Sequence, residues 1–148
     1  MIGDLLKRLT APEPAVLPDE DARLALSALL VRVARSDGTY DTEEAAQIDK
    51  ILVKRFALGP FEAAALRREA EELESQAPDT VRFTRSIKDA VAYEDRLGVI
   101  EALWTVVLTD GVRDSQENAL LRLVANLLGI NDRDSNLARK RVEEGNRG

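Results

Sequence analysis

Two short runs of carboxylates, at matching positions, hold the concentrated chemistry of this chain of 148 residues. The first runs from Asp37-Gly38 through Asp41 to Glu44, and the second from Asp110-Gly111 through Asp114 to Glu117. Both read D-G-x-x-D-[T/S]-x-E, and each Asp, Gly and Glu lies 73 residues from its counterpart. Two kinds of chemistry fit that spacing. Asp41 with Glu44, and Asp114 with Glu117, have the separation of a helix capping box, in which the first side chain accepts an orphan backbone N–H and the second reaches back. A divalent cation is the other reading. Asp37 and Asp110 stand where a helix ends, and an anion there opposes the helix dipole, a conflict that a bound cation removes. Oxygen-only donors select hard ions, Ca²⁺ first, with Mg²⁺ or Mn²⁺ as alternatives. The pattern is not an EF-hand, because counting from Asp37 or Asp110 places Ile48 or Leu121 where that loop requires a bidentate Glu.

The elements that must position these acids are helices. Ala, Leu, Arg and Glu dominate and β-branched runs are scarce, which favours helix throughout. Apolar positions predict a short helix over 1–9, followed by a linker with Pro12, Pro14 and Pro18. The next helix, from Asp19 to about Ser36, is apolar on most of its circumference and belongs at the centre. Gly38 suits the left-handed residue that ends it. A helix over about 42–57 turns Ala45, Ile48, Ile51, Leu52 and Phe56 inward, and Leu58-Gly59-Pro60 breaks it. Pro60 opens a helix to about Ser75 with Phe61, Ala65, Leu66, Ala70 and Leu73 as its stripe.

Asp79 caps a further helix through Phe83, Ile87 and Val91. The helix from Tyr93 to Thr109 is again apolar nearly all round, and Asp110-Gly111 ends it. Ser115 to Leu128 carries Leu120, Leu121, Leu123, Val124 and Leu127. Leu128-Gly129 echoes Leu58-Gly59 at an offset of 70, which predicts that this helix is about one turn shorter than its counterpart. A last helix over about 132–144 has only Leu137, Ala138 and Val142. The expectation is an all-α single domain of about seven or eight helices. Residues 1–18 form the N-terminal helix and linker. A first half over about 19–78 and a similar second half over about 79–148 follow, because a doubled motif implies a doubled supersecondary unit.

Composition narrows the function. Apolar residues make up 45% of the chain and charged residues 32%, a globular balance. The absence of cysteine and histidine excludes disulfides, thiolate catalysis, Cys or His zinc sites and Ser-His-Asp triads. A net charge of −6 gives no footprint for nucleic acid or anionic lipid. No apolar run reaches the length of a membrane span and the first residues are too short and polar for a signal peptide, so the cytoplasm is the expected compartment. Asp19-Glu20-Asp21 and Glu71-Glu72-Leu73-Glu74 read as solvated helix faces. Trp104 and Tyr93 read as core or rim residues.

The residues also resemble a family. An apolar helix ending Ala34-Arg35-Ser36-Asp37-Gly38, with Glu44 following, is one part of the resemblance. The other is Tyr93-Glu94-Asp95-Arg96-Leu97, Glu101-Ala102-Leu103-Trp104 and Asp110-Gly111 with Glu117. Together they resemble the TerB-like (tellurite-resistance protein B-like) domain over about 22–129. The resemblance implies an all-helical fold of two similar halves and an acidic cluster associated with divalent metal. Its ligands would be Asp37, Glu44, Asp110 and Glu117, with Asp41 and Asp114 as caps or outer-shell groups. Val107 departs from the family pattern, where many members have Ala, and this bears on packing rather than ligation. The resemblance also implies kinship with domains that form the N-terminal part of membrane-anchored DnaJ-like co-chaperones.

The resulting expectation is a non-enzymatic, metal-binding scaffold or sensor in a stress or tellurite-resistance-type system. Its partner would be another protein, at the cytoplasmic membrane face in one version. Two alternatives stand beside it. One is a carboxylate-metal hydrolase acting on a phosphoester. The other is a metal-free helical interaction domain whose acids only cap helices.

Overall fold

Helical periodicity is realised along the whole described chain. The structure is a computed structural model that describes residues 5–7, 19–35, 40–77, 79–109 and 115–147, with the side chains of 19, 106–109, 115–120 and 146–147 left aside. Residues 5–7 are helical (α1), and Leu5 is buried. Seven longer helices follow: α2 (Asp19–Ala34), α3 (Thr42–Phe56), α4 (Pro60–Gln76), α5 (Thr80–Ala90), α6 (Tyr93–Thr109), α7 (Ser115–Leu127) and α8 (Asp132–Arg147). The described residues contain no strand. The remainder of the expected N-terminal helix and the proline linker lie outside the described residues, as do Asp37, Gly38, Asp110, Gly111 and Asp114 and the side chain of Glu117.

Local chemistry sets the helix ends. Asp41 caps α3, its Oδ1 accepting the Glu44 N–H at 2.9 Å. Asp79 caps α5 by accepting the Arg82 N–H at 3.0 Å. Pro60 stands in the first turn of α4 behind Gly59, where its missing N–H costs nothing. Asn131 Oδ1 accepts the Asp134 N–H at 2.8 Å to open α8.

The helix stops revise one expectation. Ala57, not Gly59, takes the left-handed conformation after α3, with φ 53°, and the Leu58 N–H returns to the Val53 carbonyl at 3.2 Å. After α7, Gly129 has φ 76° and the Ile130 N–H returns to the Ala125 carbonyl at 2.9 Å. The same C-terminal motif therefore pairs Ala57 with Gly129. The two Leu-Gly dipeptides are out of phase, and the predicted loss of a whole turn shrinks to two residues, 15 in α3 against 13 in α7.

The two all-apolar helices sit at the centre. In α2, Ala25, Ala28, Leu29, Leu30, Val31 and Val33 are buried on every side, and in α6 so are Val99, Ile100, Ala102, Leu103 and Trp104. Helix α2 lies along α4, and α6 lies along α8. Between the expected halves, α2 meets α6 and α7, and α3 meets α6. Helix α5 packs on α2 and α7, with Phe83 and Ile87 fully buried.

Three stripe residues face water instead of the core. Phe61 is 91% exposed, Leu123 44% and Leu137 42%. Each lies off the buried face of its helix. In α4 that face runs through Ala63, Ala70 and Leu73, so Phe61, two positions before Ala63, points to the far side. In α7 it runs through Leu121, Val124, Ala125 and Leu128, and in α8 through Ser135 and Ala138.

Trp104 is 4% exposed, donates its Nε1–H to Ser135 Oγ at 3.2 Å and lies under the Arg139 guanidinium. It is the chain's one tryptophan, so native emission should be blue-shifted and move red on unfolding. A native spectrum like that of free tryptophan in water would contradict this packing of α6 against α8.

Candidate functional site

Three contacts set the direction of the helices that carry the acids. Arg23, at the start of α2, lies over the ring of Phe56 at the end of α3. Gln47, in the second turn of α3, approaches the Thr105 carbonyl of α6 at 3.5 Å, and Arg55 near the end of α3 reaches Glu101 earlier in α6 at 3.1 Å. Helix α3 thus runs antiparallel to both α2 and α6, so α2 and α6 run in the same sense. Their C-terminal ends therefore point the same way, with early α3 against the last described turns of α6.

That arrangement matters because the acidic motifs begin just beyond those ends. Glu44 is the described member of the four candidate ligands. It is half-buried in the first turn of α3, and its Oε2 is closed off from solvent. Asp37, Asp110 and the side chain of Glu117 lie outside the described residues, as does Asp114. Among the described residues no three acids gather into a metal cluster. Asp41 is exposed and caps α3, the role its spacing predicts. Glu44 has further interactions within the fold.

Beside the first motif stands a polar network that the sequence reading assigned to solvent. Glu74 is a correction to that reading: it is 8% exposed. Its Oε1 accepts Arg32 Nε at 3.0 Å, its Oε2 accepts Arg35 Nη1 at 3.1 Å, and its carbonyl accepts Arg32 Nη2 at 3.1 Å. Glu71 is half-buried, accepting the Tyr40 hydroxyl at 2.6 Å and Arg67 Nη1 at 3.1 Å. Arg67 also binds Asp49 at 2.6 Å. Glu72 remains exposed as expected. The physical reason lies on α2. That helix is apolar all round except for a few positions, and a charge such as Arg32 on its inner surface requires a counter-ion from the helix it packs against. Arg32 in an apolar run was the available signal.

Tyr40 follows the first acidic turn and is tied to α4 through Glu71. Burial, then the hydrogen bond to the Glu71 carboxylate and its charge, raise the phenol well above its ordinary value of 10.0. The fold therefore favours the neutral phenol. The stability this adds is present in full below pH 10 and is lost as pH climbs above it, where the unfolded chain ionises first. Tyr40→Phe should lower stability at neutral pH by about 1–2 kcal/mol, the worth of a partly exposed hydrogen bond to a charged acceptor. The gap between wild type and variant should narrow above pH 10. Denaturant melts at neutral and alkaline pH measure this, and a gap that widens with pH would contradict the assignment.

The described residues define an all-helical protein with α2 and α6, two central helices, running in the same sense. The chain belongs to the tellurite resistance protein TerB family, whose model matches residues 23–140. No curated protein and no solved structure matches it. No described helix is long and apolar enough to cross a membrane.

Proposed function

We propose that this protein is a non-enzymatic module of the tellurite-resistance type that binds a divalent cation and serves as a scaffold or sensor for another protein. Asp37, Glu44, Asp110 and Glu117 would hold the ion, and Asp41 and Asp114 would shape the turns as caps. Ca²⁺ fits best, with Mg²⁺ and Mn²⁺ as alternatives, because the donors are all carboxylate oxygens. The observation that carries the reading is the common direction of α2 and α6. Each duplicated motif follows one of these two helices in the chain, and α3 carries a half-buried Glu44 in its first turn. A cation there would neutralise several acids together and pin the ends of the two central helices to one another. Site acids held close in the metal-free state repel, so binding would also relieve strain.

The capping alternative has its own support in the 2.9 Å bond from the Glu44 N–H to Asp41. The two readings separate on one variant. Asp37→Asn, Glu44→Gln, Asp110→Asn and Glu117→Gln together keep residues tolerated at a helix end and in a capping box. A ligand confined to the native state stabilises by roughly 2.7 kcal/mol at a hundredfold excess over its dissociation constant. The wild type should melt several degrees higher in Ca²⁺ than in chelator, and the quadruple variant should melt at one temperature in both. A wild type indifferent to Ca²⁺, Mg²⁺ and Mn²⁺ would leave capping as the role of the acids.

A further inference from the structure

An open groove of about 470 Å³ lies between α3, α6 and α8, on both sides of the expected division between the halves. Its floor is apolar, from Ile51, Ala102 and Val142, and its rim carries Lys54, Arg55 and Arg141. One carboxylate, Glu101, faces these three cations. Its Oε2 accepts Arg55 Nη2 at 3.1 Å and its Oε1 accepts Arg141 Nε at 2.7 Å. Lys54 makes no ion pair among the described residues. The rim therefore keeps two positive charges in excess on a chain whose net charge is −6. Each guanidinium is fixed on one side by Glu101 and retains donors for a second carboxylate.

Gly98 explains how Arg55 comes to lie there. It interrupts the middle of α6, where glycine weakens a helix. A methyl group at this position would collide with Arg55 Nη1. The glycine thus gives the guanidinium a seat against the α6 backbone, at the edge of the groove. The Arg55 side chain rests there with 31% of its surface still open to solvent.

We infer that this groove docks an acidic segment of a partner protein, one that presents carboxylates to Lys54, Arg55 and Arg141 and an apolar side chain to Ile51, Ala102 and Val142. Charge complementarity selects the occupant: on a chain of net negative charge, a groove with excess positive charge favours carboxylates and fixes their orientation. The inference rests on the scaffold reading above, for which it supplies the partner's chemistry and the surface that meets it.

The test uses the full chain, isotopically labelled, titrated with a short blocked peptide of glutamate and leucine and with its glutamine counterpart. Amide shifts should cluster in α3, α6 and α8 around the groove, weaken with added salt, and be far smaller for the glutamine peptide. Lys54→Glu with Arg141→Glu should weaken binding by about tenfold or more. Gly98→Ala should also weaken it while leaving the melting temperature equal or higher, since alanine is the better helix former; loss of fold cannot produce that pair of results. Shifts scattered over the surface, equal binding of the glutamine peptide, or undiminished binding by the charge-reversed variant would overturn the inference. Titrations run in chelator and in Ca²⁺ keep the two readings apart. Groove binding by a protein whose melting ignores Ca²⁺ removes the metal and keeps the groove. A metal response without groove binding does the reverse.

Discussion

Replacing Glu74 with alanine should destabilise the protein by about 3 kcal/mol, because it strips the shared counter-ion that holds Arg32 and Arg35 of α2 to α4. In a chain of this length that corresponds to a fall in melting temperature of roughly 6–12 °C. The geometry supports a value at the lower end of the range for broken buried pairs. The Glu74 side chain is 10% exposed and Arg32 15%, but Arg35 is 40% exposed and recovers much of its hydration. Glu74→Gln should cost less, since an amide oxygen can still accept from one arginine. Glu72→Ala, two positions away on the exposed face, should stay within about 0.5 kcal/mol of wild type. Thermal melts of the three variants decide it, and equal effects at 72 and 74 would refute the buried clasp between α2 and α4.

The second large effect belongs to the centre of the second half. Leu103 is fully buried in α6, a helix that packs on α8, α2 and α7. Leu103→Ala should cost about 3–4 kcal/mol, combining lost transfer energy with the cavity that a close-packed interior cannot fill. Leu137→Ala is the matching control. The same chemical change at a 42% exposed position should cost about 0.5 kcal/mol or less. Urea melts with unchanged slope and a shifted midpoint would measure the difference. Comparable losses at 103 and 137 would mean that α6 is not the central helix.

These two sites show what could be read from residues and what could not. The helices α2 and α6 were legible because apolar residues cover most of their circumference, a pattern with one physical solution, burial on all sides. The starts of α3, α4 and α5 were legible because Asp41, Pro60 and Asp79 act locally. Phe61 and Leu123 were misassigned because α4 and α7 each carry enough apolar residues to draw more than one stripe. Which stripe is buried depends on the neighbouring helix, not on the periodicity itself. Glu74 escaped for a related reason. A run of acids on a helix reads as solvated until the packing partner is known to carry Arg32 and Arg35. The Ala57 stop was hidden because alanine rarely takes the left-handed conformation, and the nearby Leu58-Gly59 offered a more conventional residue for that position.

The acidic motifs sit between these cases. Their duplication, their spacing and the capping role of Asp41 were legible as local chemistry. That α2 and α6 run in the same sense was not, because it follows from α3 running antiparallel to both through Arg23–Phe56, Gln47–Thr105 and Arg55–Glu101. Contacts between residues so far apart in the chain leave no signature in the residues around the motif.

The central claim is that these carboxylates bind a cation, and calorimetric titration of chelator-treated protein with Ca²⁺ tests it most directly. The account predicts saturable heat for the wild type, and none for the variant carrying Asp37→Asn, Glu44→Gln, Asp110→Asn and Glu117→Gln, with both proteins giving the same helical dichroism. Mg²⁺ and Mn²⁺ titrated in parallel identify the preferred ion. A wild type that takes up none of the three ions, or a quadruple variant that binds as the wild type does, would contradict it.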